Sequence, residues 1–307
     1  MQKNQAVQRN GITEGVIWQQ LLLFFFPILF GTFFQQLYNT ADAMIVGKFV
    51  GKEALSAVGG TTGTLINLLV GFFVGLSSGA AVVVSQYYGA GQKEQVRKAV
   101  HTSFYLSICG GIFLMLIGEA FTPAAIDMMG VPEEIRAYSI SYMRIYFLGI
   151  IGNLLYNMGA AILRAVGDSK RPLYFLIACC LTNIALDLLF VIVLKMEVAG
   201  VAWATIISQL VSAVLVMVTL MRSKESFRFE LRYLRMDRLM LAKIIKIGLP
   251  AGIQSMMYSI SNILIQANIN SFGTDVIAAW AVYGWMQWEL PLPPLRDRTS
   301  EPESWIV

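Results

Sequence analysis

The chain has 307 residues, of which 56% are hydrophobic and 14% are charged, and its mean hydropathy is +0.63. This balance is too apolar for a soluble domain of that length, so the composition predicts an integral membrane protein. The formal net charge is only +4, and no nucleic-acid partner is expected.

Seven apolar segments are long enough to cross about 30 Å of hydrocarbon as helices. They are Val16–Val46, Leu55–Tyr88, Val100–Thr122, Tyr138–Arg164, Pro172–Leu194, Val198–Met221 and Ile244–Phe272. An eighth apolar run, Val276–Trp288, is too short to span comfortably. The sequence lacks the short alternating strands of a membrane barrel. The predicted fold class is therefore all-α, a polytopic membrane helical bundle.

Lysine and arginine residues alternate between connections in a way that predicts the orientation of the chain. The leader and the second, fourth and sixth connections carry sixteen of them, whereas the opposite connections carry four. The fourth connection, for example, contains Arg164, Lys170 and Arg171. Positively charged loops stay in the cytoplasm, so the amino terminus is predicted to be cytoplasmic.

The sixth connection, residues 222–243, mixes basic residues with aromatic and aliphatic ones, including Phe227 and Phe229. This pattern predicts an amphipathic linker on the cytoplasmic membrane face. An anionic-lipid or regulatory site in the linker is the alternative interpretation.

A sequence repeat relates the segments on either side of this linker. Pro27 matches Pro250, Asn39 matches Asn262, and Phe49 matches Phe272. An even number of predicted helices separates the two copies, so both copies begin on the same side of the membrane. The repeat is therefore of the parallel kind, which transporters with two similar halves use.

The composition changes after Gln287, where three prolines fall within four residues and charge replaces apolar content. Such a stretch cannot continue a membrane helix. We therefore expect an amino-terminal six-helix lobe at 1–221, the linker at 222–243, a truncated start of a second lobe at 244–287, and a tail foreign to the fold at 288–307.

Acidic side chains inside the predicted spans are the main candidates for a functional site. Insertion of a carboxylate at the centre of a membrane helix costs about 3 kcal/mol on insertion scales, so such a residue typically has a function. A buried carboxylate also readily binds a proton or cation. Asp42 shares a helical stripe with Gln35 and Asn39, at spacings of three and four residues. A position near the helix end, in contact with interfacial water, is the alternative for Asp42.

The fifth predicted helix offers a second carboxylate. Asn183 and Asp187 lie four residues apart on one face of it, and the first and fifth helices run in the same direction. Asp42 and Asp187 are thus predicted at similar depth, where two carboxylates can form a cation site, with a structural hydrogen bond as the alternative. Pro27 predicts a kink in the first helix, because proline lacks an N–H and clashes with the preceding turn.

We interpret the other residues of note within the predicted spans as structural. Gly71, Gly75 and Gly79 are spaced for close helix packing in lipid, and Glu119 and Arg144 are expected at an interface or paired with other helices. No phosphate-binding loop, zinc-binding helix or catalytic triad is present, so the chain is not predicted to be an enzyme.

Several motifs together resemble those of one transporter family. They are "PILFGTFFQQLYNTADAMIVGKFVGKEALSAVG" from Pro27, "RAVGDSKRP" from Arg164, "LTNIALDLLF" from Leu181 and "GVAWATIISQ" from Gly200. Over about the first 285 residues the chain resembles the multidrug and toxic compound extrusion (MATE) family, and within it the bacterial drug/cation antiporter branch.

The resemblance implies twelve membrane helices in two lobes, in the bacterial inner membrane, exporting organic cations or drugs in exchange for H⁺ or Na⁺ without another cofactor. It assigns cation coupling, including a Na⁺ site, to Asp42, Asn183 and Asp187. Thr205 and Asn157 are implied as supporting polar residues, beside Gln35 and Asn39 from the stripe.

Two alternatives to drug antiport remain open from the sequence. The chain lacks most of the second lobe, so a non-transporting lobe, or a membrane partner that associates with another lobe or with a second copy of itself, is one alternative. A flippase for lipid-linked precursors is the other, and it would line its cavity with several basic residues, of which only Arg144 is obvious.

Overall fold

The computed structural model describes residues 17–289, which leaves the leader and nearly all of the predicted tail at 288–307 outside the described residues. Within this range the chain is helical, with no strand. The α-helices are α1 (Ile17–Phe49), α2 (Lys52–Ser56), α3 (Thr62–Gly89), α4 (Lys93–Met128), α5 (Glu133–Ala165), α6 (Lys170–Asp187), α7 (Glu197–Arg222), α8 (Arg238–Asn270) and α9 (Thr274–Glu289). Two π-helical segments (Ala57–Thr61 and Leu188–Val193) and one 3₁₀ turn (Leu231–Tyr233) complete the fold.

Seven of these helices are long and apolar enough to cross a membrane. The π segments extend two of them, giving continuous spans at Lys52–Gly89 and Lys170–Val193. The predictions of an all-α bundle and of seven spans are thereby confirmed. The eighth apolar run forms α9, whose 16 residues rise about 24 Å and fall short of the hydrocarbon thickness.

Two of the connections between the long helices are tight turns at a glycine. Between α3 and α4 the chain turns at Gly91 (φ 70°), and between α5 and α6 it turns at Gly167 (φ 94°). Glycine adopts such left-handed conformations without the steric cost of a Cβ atom. Neighbouring helices are therefore antiparallel, and we call the end of the bundle at which residues 223–237 connect α7 to α8 the linker end, and the opposite end the far end.

A glycine-lined contact joins α3 to α8 along most of their length. A Cβ atom on Gly71 would meet Ser255, one on Gly75 would meet Gly252, and one on Gly79 would meet Gly248. Small residues let the two backbones approach closely, which is how helices associate in lipid. The interpretation of the three glycines as packing residues is confirmed. Their contact holds α8, the first helix of the second repeat, against the amino-terminal lobe.

Polar contacts close the same junction at the far end. Thr61 donates a hydrogen bond to Asn270 Oδ1 at 3.1 Å, and Asn270 Nδ2 donates to the Met129 carbonyl at 2.9 Å. Lys52 forms an ion pair with Asp275 at 2.8 Å on the surface. The start of the second repeat is therefore held to the bundle at the far end by hydrogen bonds as well as by packing.

The linker is mostly non-helical and is anchored to the bundle by its two phenylalanines. Phe227 and Phe229 are buried, and the Phe229 ring stacks on His101 with ring centroids 5.3 Å apart. His101 Nε2 also lies 3.1 Å from the Glu230 carbonyl oxygen. The exposed large apolar side chains within residues 222–243 are Leu231, Tyr233, Met236 and Leu239. The mixed pattern of residues 222–243 thus separates into an anchoring part and a surface part.

A glycine substitution tests the α3–α8 contact. An alanine Cβ at position 79 would lie 2.6 Å from the Ile244 carbonyl oxygen, so the Gly79→Ala variant must push two helix backbones apart. We expect a loss of roughly 1–3 kcal/mol, as for other overpacked interiors, and a lower Tm in detergent measured by thermal denaturation. The matched control is Gly89→Ala, since nothing lies within 4 Å of that position. Equal Tm values for the two variants would show that the contact is not tight.

Candidate functional site

Two carboxyl groups meet inside the bundle near its far end. Asp42 comes from α1, and Asp187 is the last residue of α6 before the π-helical segment. The Asp42 side chain lies beside those of Asp187, Asn183 and Thr205. Asp187 and Asn183 are 0% exposed, and Asp42 is 7% exposed. The structure therefore brings together the three residues for which the sequence predicted a cation site, and Thr205, expected as a supporting polar residue, lies beside them.

The polar atoms of this cluster are short of hydrogen-bond partners. Thr205 Oγ1 bonds to the Val201 carbonyl at 2.9 Å and lies 3.5 Å from Asp42 Oδ2. Within residues 17–289, no hydrogen-bond partner is found for Asp42 Oδ1, for either polar atom of the Asn183 amide, or for either oxygen of Asp187. Buried polar atoms are nearly always paired, so the cluster can accept a further group.

The chemistry of the oxygen atoms in the cluster indicates which ion would fit there. Two carboxyl groups, one amide oxygen and one hydroxyl form an all-oxygen set, which suits a hard cation. Either carboxyl group could instead hold a proton. Within residues 17–289, no cluster of three or more His, Cys, Asp or Glu side chains is found.

The backbone changes its geometry at this cluster. Asp187 leads directly into the π-helical segment Leu188–Val193, in which the Leu194 amide bonds to the Leu189 carbonyl at 2.9 Å. Such π segments are rare and occur frequently at functional sites. The extra residue per turn shifts the phase of the helix after Asp187, so the residues that follow it face different neighbours from those that a regular α-helix would give.

The cluster is surrounded by tyrosines that were not predicted as site residues. Tyr142 lies beside Asp42, Asp187 and Thr205, and Tyr38 lies beside Asp42. Tyr142 and Tyr146, one turn apart on α5, are each 7% exposed and stack with ring centroids 6.3 Å apart. The available signal was spacing, because Tyr38 precedes Asp42 by four residues on the same helix face.

A cavity of about 140 Å³ lies one helical turn from the carboxyl groups, toward the linker end. Tyr38, Cys179 and Gln209 line it, and these residues precede or follow Asp42, Asn183 and Thr205 by four positions. The predicted residues Pro27, Gln35 and Asn157 line it too. We call this space the lobe cavity.

Two predicted site residues on α1 point to different spaces. Gln35 lines the lobe cavity, whereas Asn39 lines a separate cavity of about 310 Å³ between α1, α3, α8 and α9. Asn262, the repeat equivalent of Asn39, lines that second cavity as well. Gln35 and Asn39, which the sequence puts on one polar stripe, thus line different cavities, because helices from both repeats pack around α1.

Two basic side chains of the predicted spans have different surroundings. Arg164, at which the fourth predicted span ends, lies in the last turn of α5 and lines the lobe cavity. Arg144 on α5 lies 3.9 Å from Glu119 on α4 with its side chain 50% exposed, so the expectation that these two residues pair with other helices is confirmed. Arg144 is therefore a surface residue paired with a neighbouring helix.

Comparison with known proteins supplies a family for this arrangement. The MatE family pattern matches residues 27–189, more than half of the chain. A probable multidrug resistance protein of Bacillus subtilis, YoeA, is 32% identical over 87% of this chain, and another, YpnP, is 27% identical over 94%. A solved MATE family transporter of the MOP superfamily, in an inward-facing conformation, matches 83% of this chain with a TM-score of 0.77 and 26% identity.

The chain spans only part of these relatives. It covers 59% of the length of YoeA, 64% of YpnP and 58% of the solved transporter.

Chemical modification tests whether the carboxyl pair is held away from water. Dicyclohexylcarbodiimide reacts with carboxyl groups in apolar surroundings, so in membranes we expect it to label Asp42 or Asp187, as read by mass spectrometry of peptides. Asp275 is the internal control, because its side chain is 78% exposed and should remain unlabelled. Protection of the pair by added Na⁺ would indicate that Na⁺ occupies the same oxygens. Labelling of Asp275 alone would contradict the burial of the pair.

Proposed function

Because this chain belongs to the MatE family, we propose that it contributes the amino-terminal lobe of a secondary active multidrug exporter that exchanges organic cations or amphipathic drugs for H⁺ or Na⁺. The observation that carries the proposal is the buried pair of Asp42 and Asp187, three of whose four carboxyl oxygens lack a hydrogen-bond partner within the described part of the chain. A group of this kind inside a membrane bundle typically marks an ion pathway.

The proposed coupling ion binds where the oxygens converge. Asp42, Asn183 and Asp187 would hold H⁺ or Na⁺, and Thr205 would contribute its hydroxyl oxygen. Occupation removes negative charge from the junction between α1 and α6. Since these two helices also line the lobe cavity, the charge change alters their packing at the place where a drug would sit.

The first helix is suited to respond to this change. Pro27 interrupts the hydrogen bonds within α1 and lines the lobe cavity, so bending there costs less than elsewhere in the helix. In the proposed cycle, ion binding changes the bend of α1 and releases the drug outward, and the lobe then reloads from the inside. Alternating access of this kind needs two lobes that move against each other.

The proposal includes an orientation in the bacterial inner membrane. With the amino terminus in the cytoplasm, the linker end of the bundle is cytoplasmic and the carboxyl pair lies in the outer half of the bilayer. The excess of lysine and arginine in the connections at the linker end supports this orientation. No cofactor is proposed besides the coupling ion.

Arg144 does not support the flippase alternative, because its exposed side chain pairs with Glu119 and lines neither the lobe cavity nor the cavity at Asn39. Other basic residues do line cavities: Arg164 lines the lobe cavity, and a space of about 1,110 Å³ at the linker end is lined by Lys170, Arg171, Arg222 and Lys224. The flippase therefore stays the second alternative to drug antiport. The other alternative is a lobe that does not transport alone, or that associates with a partner lobe or a second copy. An efflux assay that compares the 307-residue chain with an extended version tests whether this lobe transports alone.

Drug efflux from cells tests the proposal. This chain, extended at its carboxyl end by the remaining helices of a Bacillus relative, should export ethidium when an ion gradient is present. The Asp42→Asn substitution removes the ionisable group while keeping its size, so we expect gradient-driven efflux to fall to the background of cells without the protein. The measurement is the rate of loss of ethidium fluorescence.

The control substitution is Glu94→Gln, which makes the same chemical change at a side chain that is 59% exposed and paired with Arg97 on the surface. It should leave efflux unchanged. Unimpaired efflux by Asp42→Asn would refute ion coupling at this residue. The chain of 307 residues is assayed in parallel, and efflux by the extended version alone would show that transport needs the second lobe.

A further inference from the structure

The space of about 1,110 Å³ at the linker end of the bundle lies outside the proposed ion site and the lobe cavity, and we call it the linker-end space. It is surrounded by the amino-terminal part of α1, the end of α3, the turn between α5 and α6, the end of α7 and the start of the linker. Its described lining residues lie between positions 23 and 227, so they belong to the amino-terminal lobe and the linker and not to α8 or α9. Among the described residues, only Ser169 lines both this space and the lobe cavity.

Basic side chains from α6, α7 and the linker converge on the linker-end space. Its charged lining residues are Lys170, Arg171, Arg222 and Lys224, with Asp168 and Glu225. Asp168 and Arg171 neutralise each other, because their side chains form an ion pair at 3.2 Å. Lys170, Arg222 and Lys224 are exposed and form no ion pair with another residue of the range 17–289. Three basic groups therefore face one remaining carboxylate, that of Glu225.

The same space has an apolar side formed by α1 and α7. Leu23, Phe24 and Val218 line it, and the side chains of Leu23 and Val218 are 58% and 37% exposed. One turn further from the linker end, Phe26 and Val214 are exposed on the same two helices. Exposed apolar side chains of membrane-spanning helices contact lipid acyl chains. A ligand in this space can thus place a charged group among the basic residues and an apolar part along α1 and α7.

An anionic phospholipid has this division between a negative headgroup and apolar chains. Basic pockets between membrane helices at the cytoplasmic side bind such headgroups, and each lysine or arginine near one contributes about fivefold in affinity. A soluble phosphate compound would use the basic residues but would leave the apolar side of the space uncovered. The leader at residues 1–16 does not complement the charge of the space, because its Lys3 and Arg9 outnumber its Glu14.

We propose that the linker-end space binds one anionic phospholipid, whose phosphate is held by Lys170, Arg222 and Lys224 and whose acyl chains follow α1 and α7. In the proposed orientation this lipid belongs to the cytoplasmic leaflet. It is a resident lipid and not the exported substrate, because alternating access takes place between the two repeats and the described lining comes from one lobe and the linker. The lipid joins α7 and the linker to the part of α1 that precedes Pro27, and so restrains the bend there.

Native mass spectrometry of the purified 307-residue chain in detergent tests the proposal, because it resolves the chain with zero, one or more bound lipids. The probes are phosphatidylglycerol and phosphatidylcholine with identical acyl chains, which differ in the net charge of the headgroup. We expect the first phosphatidylglycerol to bind at least about tenfold more tightly than the first phosphatidylcholine. The double variant Arg222→Gln/Lys224→Gln should reduce this ratio to below about threefold, since two basic groups are lost.

Two control variants separate a built site from the general attraction of a basic surface. Arg232→Gln/Arg235→Gln makes the same change of charge in the same linker, at exposed side chains that do not line the space, and should keep the full ratio. Glu225→Gln removes the remaining carboxylate and should raise the ratio. Size-exclusion chromatography and the Tm of each variant report on folding.

The proposal is overturned by equal affinity of the unmodified chain for the two lipids, by an unchanged ratio in Arg222→Gln/Lys224→Gln, or by an equal loss in Arg232→Gln/Arg235→Gln. Displacement of phosphatidylglycerol by glycerol 3-phosphate would assign the space to a soluble phosphate compound. Tighter lipid binding after deletion of residues 2–13 would assign it to the leader, and either result also overturns the proposal. Lipid binding in detergent does not require transport, so its failure is distinct from a failure of ethidium efflux, which tests the proposed export function.

Discussion

The burial of two carboxyl groups against each other, in a bundle that otherwise excludes charge, is the constraint on which the arrangement of this lobe depends. Each carboxylate at the depth of a membrane helix costs about 3 kcal/mol on insertion scales, and two of them side by side repel. The fold accommodates Asp42 and Asp187 by surrounding them with Asn183, Thr205 and Tyr142. It nevertheless leaves several of their oxygens unpaired within the described residues, which is what makes an ion or proton a favourable addition.

Much of this arrangement can be predicted from the sequence, because its signals are strong and local. Long apolar runs define the spans, and an acidic residue within a span is a functional candidate because such residues are rare there. The spacing of four residues between Asn183 and Asp187 places them on one face of α6. Other features depend on which neighbours pack around a helix, and sequence spacing does not determine that. Asn39 lies one turn from Gln35, yet helices of both repeats pack against α1 and put the two side chains in different cavities.

Arg164 illustrates a different reason for a missed residue. A basic residue near the end of an apolar run is normally explained by the cytoplasmic location of its connection, so composition assigns it to solvent. The predicted span ends at Arg164 and α5 ends at Ala165, so the helix end was predicted; what the sequence does not show is that the Arg164 side chain lines the lobe cavity. The π segment after Asp187 is likewise invisible to periodicity, since one extra residue in a turn changes the phase without changing the composition.

If a drug occupies the lobe cavity and the coupling ion lies at the carboxyl pair, the two do not compete for the same atoms, because neither Asp42 nor Asp187 lines that cavity. Their coupling must then be conformational, with each favouring one arrangement of the shared helices. The residues that could transmit it are those that line the lobe cavity one turn from the ion site, namely Tyr38 on α1, Cys179 on α6 and Gln209 on α7. Exchange in this lobe would then proceed by a change of shape in α1, α6 and α7 and not by competition for one set of atoms.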